Sequence, residues 1–472
     1  MMFQTKSPDL MGLFQPRSIA IIGASQDELK SGGMFVSALL KDGYKGNIYP
    51  INRRESKIMS LRSYPSVLDV PGELDLAVMA IPSQGVPQVM AECAQKGVKF
   101  AVVHSVGFSE LGSQGKELEE QILKAARKNG VRIVGPNCMG VFSSRAGINT
   151  IVPYARLPME PGGVAFVGQS GWASENLLLI GYERGLRFSG VISIGNQSDL
   201  TIEDFLEYFG NDPETKVIVT YIEGLKQGRR FLKLAEGISP RKPIIVWKGG
   251  SSELGARATA SHTGSLAGNY TVFEAASRQK GIIRAQSLED LLDLAIAFSS
   301  PYLPRGNEVG LLIEAGGGAV ASADACARAG LNISPLPEEV QQKLRCFLKD
   351  KIPPSGSLKN PVDLVWAPFN ESTHIYATCL EIMSRAVDSC LVITYASLED
   401  EWFISRLESI RNQVKKPVVI VPGHSLEQQH GMNLMAKRGI PSFAMPESAV
   451  KAISALTQRS RYLESLDTKS IE

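Results

Sequence analysis

Of the five histidines in the chain, one stands in a setting suited to chemistry. His262 lies in ATASHTGSLAG, residues 258–268, flanked by Ser261, Thr263 and Gly264. Surroundings so small and polar offer no apolar core for an imidazole ring to fill. A neutral imidazole is populated near pH 7, and phosphorylation of its nitrogen gives an intermediate labile enough to pass on. Such a nucleophile needs a second group to fix its tautomer. Glu223, in YIEG at the end of an apolar run, is the leading candidate. His104, His374, His424 and His430 have no comparable surroundings.

Three further segments could hold an anion. GQSG, Gly168 to Gly171 with Gln169 and Ser170 between, closes the apolar run VAFV and opens a helical stretch. It therefore gathers orphan N–H groups and a hydroxyl at one point, a phosphate site. An ordinary N-cap would explain Ser170 but not the glycines. SIAIIGAS followed by KSGGMFVSALLKDGY is a strand, a small-residue turn at Gly23, Ala24 and Ser25, and a helix; this arrangement suits an anion but is equally a plain βα connection. The next apolar run, NIYPIN, ends at Asn52, Arg53 and Arg54, and Glu55 comes only after both arginines. NAD would prefer an acid at that strand end, so a 3′-phosphorylated nucleotide such as coenzyme A fits better. Pro82, behind LAVMAI, and Asn137, in GPNCMG, complete the candidate CoA contacts. GPNCMG could also be a tight turn and no more. Its Cys138 has no histidine nearby in sequence, so a structural or CoA-contact role suits it better than a nucleophilic one.

These segments need a scaffold, and the chain's punctuation supplies one. Short β-branched runs keep ending in glycine, as in SIAIIGAS, VAFVGQSG, VIVTYIEG and PIIVWKGG, and helical stretches such as ELEEQILKAARKNG lie between them. Strand, loop, helix, repeated, means α/β architecture with parallel sheets and ligands at the strands' carboxyl ends. The chain also repeats itself. VAFVGQSGWAS resembles VGLLIEAGGGAVAS, VIVTYIEG resembles LVITYASL, RKPIIVWKGGSS resembles KKPVVIVPGHS, and KGIIRAQSLEDLLDLA resembles RGIPSFAMPESAVKAI. Pro243 and Gly281 are 38 residues apart in the first copy, whereas Pro417 and Gly439 are 22 apart in the second. The additional 16 residues form an extra loop that contains His262. Composition alone would allow a disordered insertion there, but ordering a loop costs entropy that needs a return. Gly/Pro-rich edges place domains at 1–150, 151–305 and 306–472.

Bulk properties narrow the function further. The 50 basic and 48 acidic side chains leave a net charge of +2 with no long basic run, which argues against nucleic acid and anionic membranes as partners. Six scattered cysteines show no zinc spacing and no disulfide framework, so a reducing cytoplasm fits and no metal site is expected. The start lacks the pattern of a signal peptide, and no apolar run approaches the ~20 residues of a membrane span.

SIAIIGAS, GNIYPIN, SVGFSELGSQG, GPNCMG, GQSG, GNQSDLTIEDFLEYF, TYIEG, KPIIVWKGG and SHTGSLAG stand in the same order as in the alpha subunit of ADP-forming acetyl-CoA synthetase, of the succinyl-CoA synthetase superfamily. The chain resembles that family over nearly its whole length. The resemblance implies a Rossmann-like CoA-binding domain followed by two flavodoxin-like domains. It implies that acyl-CoA and phosphate give acyl phosphate and CoA, that His262 takes the phosphoryl group, and that the extra loop carries it to Mg-ADP. The nucleotide would sit on an ATP-grasp beta subunit, which this chain does not contain, so a hetero-oligomer is implied. By the same resemblance Glu223 orients His262 and Gly168 to Gly171 cradle phosphate. INRRES and SLRSYPS depart from the family pattern near the CoA contacts, and Trp172 is bulkier than the usual residue after GQSG, which would narrow the acyl or phosphate pocket. A non-catalytic CoA- or acyl-CoA-binding regulator of the same fold is the alternative, though it would have no need of His262 and Glu223. An NAD(P)-dependent dehydrogenase fails on the missing dinucleotide fingerprint.

Overall fold

The computed structural model describes residues 9–263, 269–314, 316–423 and 428–469; among residues 259–263 and 468–469 it describes the backbone only. The chain forms two compact units. One holds everything up to Leu288 except Gly181–Leu186; the other holds that short segment and everything from Glu289 onward.

The first unit contains two sheets. Continuous apolar runs form strands buried along their whole length, as Ser18–Ile22 and Val164–Gly168 are, because helices cover both faces of a parallel sheet. The first sheet orders its parallel strands Asn47–Ile51, Ser18–Ile22, Leu76–Met79, Phe100–Val103, Arg132–Val134. In chain order this is 2-1-3-4-5, the doubly wound pattern whose crevice opens between strands 1 and 3. The second sheet repeats the order with Phe188–Ser193, Val164–Gly168, Val217–Ile222, Ile244–Lys248 and Ile283–Ala285. Gly140–Ser143 and Ile148–Asn149 extend it antiparallel beyond Phe188–Ser193, so this sheet reaches back ahead of residue 151. In the second unit Val362–Asp363, Val309–Ile313, Ser389–Thr394 and Val418–Pro422 stand in the order 2-1-3-4, all parallel. The division after Leu288 precedes residue 305, and helix Leu288–Phe298 falls across it. The α/β, parallel-sheet architecture expected from the sequence is what the chain adopts.

The extra segment of the first repeat differs from the loop expected. Helices Glu253–Thr263 and Tyr270–Gln279 stand between Ile244–Lys248 and Ile283–Ala285, whereas among the described residues one helix, Gln429–Lys437, stands between Val418–Pro422 and Ser442, which bridges to Ile420. Alanines at 256, 258 and 260 favour helix, and Glu253 complements the positive end of its first turn. His262 is on the backbone of that helix; its side chain lies outside the described structure, as do residues 264–268. Among the described residues no helix is long and apolar enough to cross a membrane, and no group of three or more His, Cys, Asp or Glu could hold a metal ion.

Candidate active site

At the switch point of the first sheet lies a cavity of about 540 Å³. Gly23, Ala24, Ser25, Asn52, Arg53 and Arg54 all line it, with Lys30 beside them. Gly23 has φ +84°, and a Cβ there would sit 2.4 Å from Ala80 O, so only glycine makes this turn. Asn52 fixes the two walls relative to each other. Its Nδ2 donates to Ala24 O at 2.8 Å, and its Oδ1 accepts from Arg54 N at 2.8 Å and Glu55 N at 3.2 Å. Arg53 and Arg54 are exposed and make no ion pair among the described residues, which leaves both cations to the cavity. Two expected contacts lie elsewhere. Pro82 precedes the turn Ser83–Gly85, next to Ile81, which does line the cavity. Asn137 has left the cavity for the seam with the second sheet.

That seam is GPNCMG. Asn137 has φ +57°, its N–H donates to Ser105 O at 3.0 Å, and its Nδ2 is 3.4 Å from Asn196 Oδ1. The N–H groups of Asn196 and Ser198 donate to Pro136 O and Gly135 O, both at 3.0 Å. A Cβ on Gly195 would lie 2.2 Å from the carbonyl oxygens of Pro136 and Asn137, so the two turns touch backbone to backbone. Asn196 Nδ2 reaches Glu110 Oε2 at 2.6 Å in the SVGFSELGSQG segment. Burial pushes the Glu110 carboxyl up, but hydrogen bonds from Asn196, Gly107 and Phe108 outweigh it and hold the group below its ordinary pKa. Cys138 is buried, and burial pushes its thiol up to about 12, which makes it a packing residue and not a nucleophile. His104 is likewise structural. Its Nδ1 is 2.8 Å from Cys138 O, its ring meets Phe35 edge-on, and burial lowers its pKa.

GQSG and YIEG meet at the switch point of the second sheet, because Val164–Gly168 and Val217–Ile222 are neighbours with Gly168 opposite Tyr221. Ser170 caps helix Gly171–Glu183: its Oγ accepts from Ala173 N at 3.3 Å. Gln169 takes a different task from the phosphate contact expected of it. Its Nε2 donates to Gly224 O at 3.0 Å, and its Oε1 accepts from Gly224 N at 3.0 Å and from Glu223 N. The amide is thus committed to the turn after Val217–Ile222, which leaves the helix's first-turn N–H groups as the donors free for an anion at this point. Gln197 supports the same turn, with Nε2 3.4 Å from Gly224 O.

Glu223 itself is 5% exposed, and its Oε2 is buried without a hydrogen-bond partner among the described residues. An unpartnered buried carboxylate oxygen is costly and calls for a partner. Two neighbours escaped the sequence reading. Lys248, the last residue of Ile244–Lys248, donates to Glu223 O at 2.7 Å and Gly249 O at 2.6 Å; burial lowers its pKa while the Glu223 charge opposes the shift. The signal was a lysine ending an otherwise apolar strand run. Tyr221 stands in strand Val217–Ile222, two residues before Glu223, and burial, then the nearby Glu223 charge, push its hydroxyl pKa up. Trp172, in the first turn of the capped helix, stands edge-on to Trp247.

Residues 17–144 match the family model of a CoA binding domain, and residues 161–298 that of a succinyl-CoA ligase like flavodoxin domain. The subunit alpha of acetate–CoA ligase [ADP-forming] II from Pyrococcus furiosus is 38% identical over 457 residues, 95% of this chain and 97% of that protein. The chain belongs to this family of ADP-forming acetate–CoA ligase alpha subunits. It is therefore the CoA-binding catalytic subunit of an ADP-forming acyl-CoA ligase, and a subunit implies a partner. The acetate–CoA ligase [ADP-forming] of Methanocaldococcus jannaschii is 37% identical over 453 residues, and there this chain covers only 63% of the relative. Among solved structures, the acetyl-coenzyme A synthetase 1 of Ca. Korarchaeum cryptofilum, in complex with phosphate and ADP, superposes with a TM-score of 0.86 at 35% identity, covering 98% of this chain and 99% of that one. The family read from the motifs is borne out, and a purely regulatory protein is set aside.

Proposed function

We propose that this subunit interconverts acyl-CoA, phosphate and ADP with acid, CoA and ATP through an acyl phosphate and a phosphohistidine at His262. Phosphate sits at the start of helix Gly171–Glu183, beside Gly168, Ser170 and Gly171, where orphan N–H groups offset its charge. One of its oxygens attacks the thioester carbonyl carbon, the C–S bond breaks, and the departing thiolate takes a proton as CoA. An imidazole nitrogen of His262 then attacks the phosphorus, and the P–O bond to the acyl group breaks to release the carboxylate. Finally a terminal oxygen of ADP attacks the phosphohistidine, the P–N bond breaks, and ATP leaves.

The observation that carries this reading is the buried, unpartnered Oε2 of Glu223 at the switch point, which suits a carboxylate reserved for an imidazole. The cavity lined by Gly23, Ala24, Ser25, Asn52, Arg53 and Arg54 takes the phosphorylated nucleotide of CoA. The helical insertion bearing His262 is the carrier, and residues 1–150, 151–305 and 306–472 act as CoA, phosphoryl-transfer and accessory domains. Mg-ADP is held by an ATP-grasp partner. All six cysteines are free, and the substrates are intracellular metabolites by their chemistry, so the complex works in the cytoplasm.

The test is labelling. The complex with its partner, given radioactive nucleotide, should place on this chain a phosphate lost in acid and kept in base, mapping to residue 262. His262→Ala should abolish label and turnover together. Label that persists in that variant, or maps to His424 or His430, overturns the mechanism.

A further inference from the structure

We propose that Trp172 and Trp247 form the wall that receives the acyl group, and that the acid this ligase takes is an aryl or aryl-alkyl carboxylic acid in preference to acetate. The inference rests on the reading of the Gly171–Glu183 helix start as the phosphate site.

Trp172 is the second residue of that helix and is 59% exposed. Its ring centroid lies 6.5 Å from that of Trp247 at an interplanar angle of 66°, and Trp247 lies 4.7 Å from Tyr221 at 62°. Tyr221 and Trp247 are register partners on adjacent parallel strands. The three rings therefore run without a break from the helix start to the strand end that carries Glu223. On the other flank of the helix start stands Met139; a Cβ on Gly171 would meet its Cγ at 2.8 Å.

A phosphate oxygen attacking a thioester must come within about 3–3.5 Å of the carbonyl carbon. The substituent on that carbonyl then lies within reach of side chains on the same helical turn. What this turn and its surroundings offer is an indole, a second indole behind it and a polarizable thioether. A flat ring can cover the open Trp172 surface edge-to-face and meet the methionine sulfur, whereas the methyl group of acetate covers almost none of it. The wall is built on a helix and a strand, elements that hold geometry more tightly than a loop does.

The experiment uses the complex with its partner subunit and measures kcat/KM for phenylacetate and acetate with CoA and Mg-ATP. The wild type should favour phenylacetate by about tenfold or more, and Trp172→Ala should reduce that ratio by about 10- to 100-fold, the range by which apolar pockets discriminate. Trp172→Phe should reduce it less, because an aromatic wall remains. Labelling of the chain by nucleotide involves no acid, so in these variants it should stay within a few-fold while the ratio moves. A wild type that prefers acetate, or an unchanged ratio in Trp172→Ala, overturns the proposal. Labelling that falls in step with turnover also overturns it, since the indole would then serve the phosphoryl site. A wild type that turns over without any label sinks the phosphohistidine reading, and the acid ratio still decides this one.

Discussion

The second and third sheets share one plan down to single residues, yet they finish their switch points with different chemistry. In both, a buried threonine and then a tyrosine stand at the end of the third strand, Thr220 and Tyr221 within Val217–Ile222 in one, Thr394 and the following Tyr395 at the end of Ser389–Thr394 in the other. In both, the glycine after the fourth strand sits against that tyrosine. A Cβ on Gly249 would lie 2.8 Å from Tyr221 Oη, and one on Gly423 would lie 2.4 Å from Tyr395 Cε1. Then the copies part. Glu223 faces Ser397 in the comparison, Lys248 faces Pro422, and Gln169 faces Glu314. The turn after the third strand is held by a side-chain amide in each, but from opposite directions. Gln169 reaches it from the first strand, while Gln428 reaches it from beyond the fourth, donating to Ala396 O at 3.3 Å and accepting from Leu398 N at 2.7 Å. Glu314 instead accepts from Ala367 N at 2.7 Å and Tyr376 Oη at 2.9 Å. The scaffold thus needs an amide at the turn, and only the first copy combines it with a buried carboxylate, a buried lysine and an inserted helix.

After the loss of His262, the largest effect should come from Glu223→Gln. The amide keeps the shape but removes the charge that steadies a phosphorylated or protonated imidazole, so label and kcat should both fall by about 10²-fold. Rapid-quench measurement of label formation checks this. A loss of less than threefold would make Glu223 a structural residue like its neighbours and erase the main distinction between the two repeats.

Gln169→Leu and Gln428→Leu form a matched pair. Each strands buried backbone groups, so each should cost about 1–3 kcal/mol of stability. Only Gln169→Leu should also slow phosphoryl transfer, by roughly tenfold, because only there does the released turn carry the carboxylate proposed to orient His262. Denaturant melts and turnover on the same samples separate the two readouts. Equal losses of kcat would mean that the amide clamp serves folding alone.

Much of this contrast was legible in the residues. The glycine after each strand marked the ligand ends, because a tight βα turn and close backbone approach require it, as Gly23 and Gly195 demonstrate. His262 and Glu223 stood out because neither type belongs where it was found unless something uses it. What could not be read was direction. Gln169 lies between two glycines in a phosphate-like motif, and nothing in a linear string tells whether its amide faces an anion or the neighbouring strand. Asn137 poses a related problem: a strand-end asparagine looks like a ligand contact, but the partners the structure gives it, Ser105 and Asn196, are 32 and 59 positions away. The inserted segment was expected to be loop because glycine and serine crowd its ends, yet the alanines between them were enough for a helix.

The smallest expected effect is the one that would most sharpen the comparison. Ser397 occupies the place of Glu223 in the second copy, is exposed, and among the described residues uses its Oγ only to accept from Glu399 N at 3.3 Å. Such a local turn bond competes with water and is worth little, so Ser397→Ala should alter stability by no more than about 0.5 kcal/mol. Label and kcat should stay within twofold of the wild type, in contrast to the loss at Glu223. Ser397→Glu should likewise create no second labelled site, since that turn lacks a counterpart to Lys248 and to the inserted helix that bears His262. The measurement is the same labelling assay, with peptide mapping to find any new phosphate. A tenfold loss of turnover in Ser397→Ala would show that the second copy takes part in the chemistry, and that its bare switch point is a working half of the site and not only a scaffold.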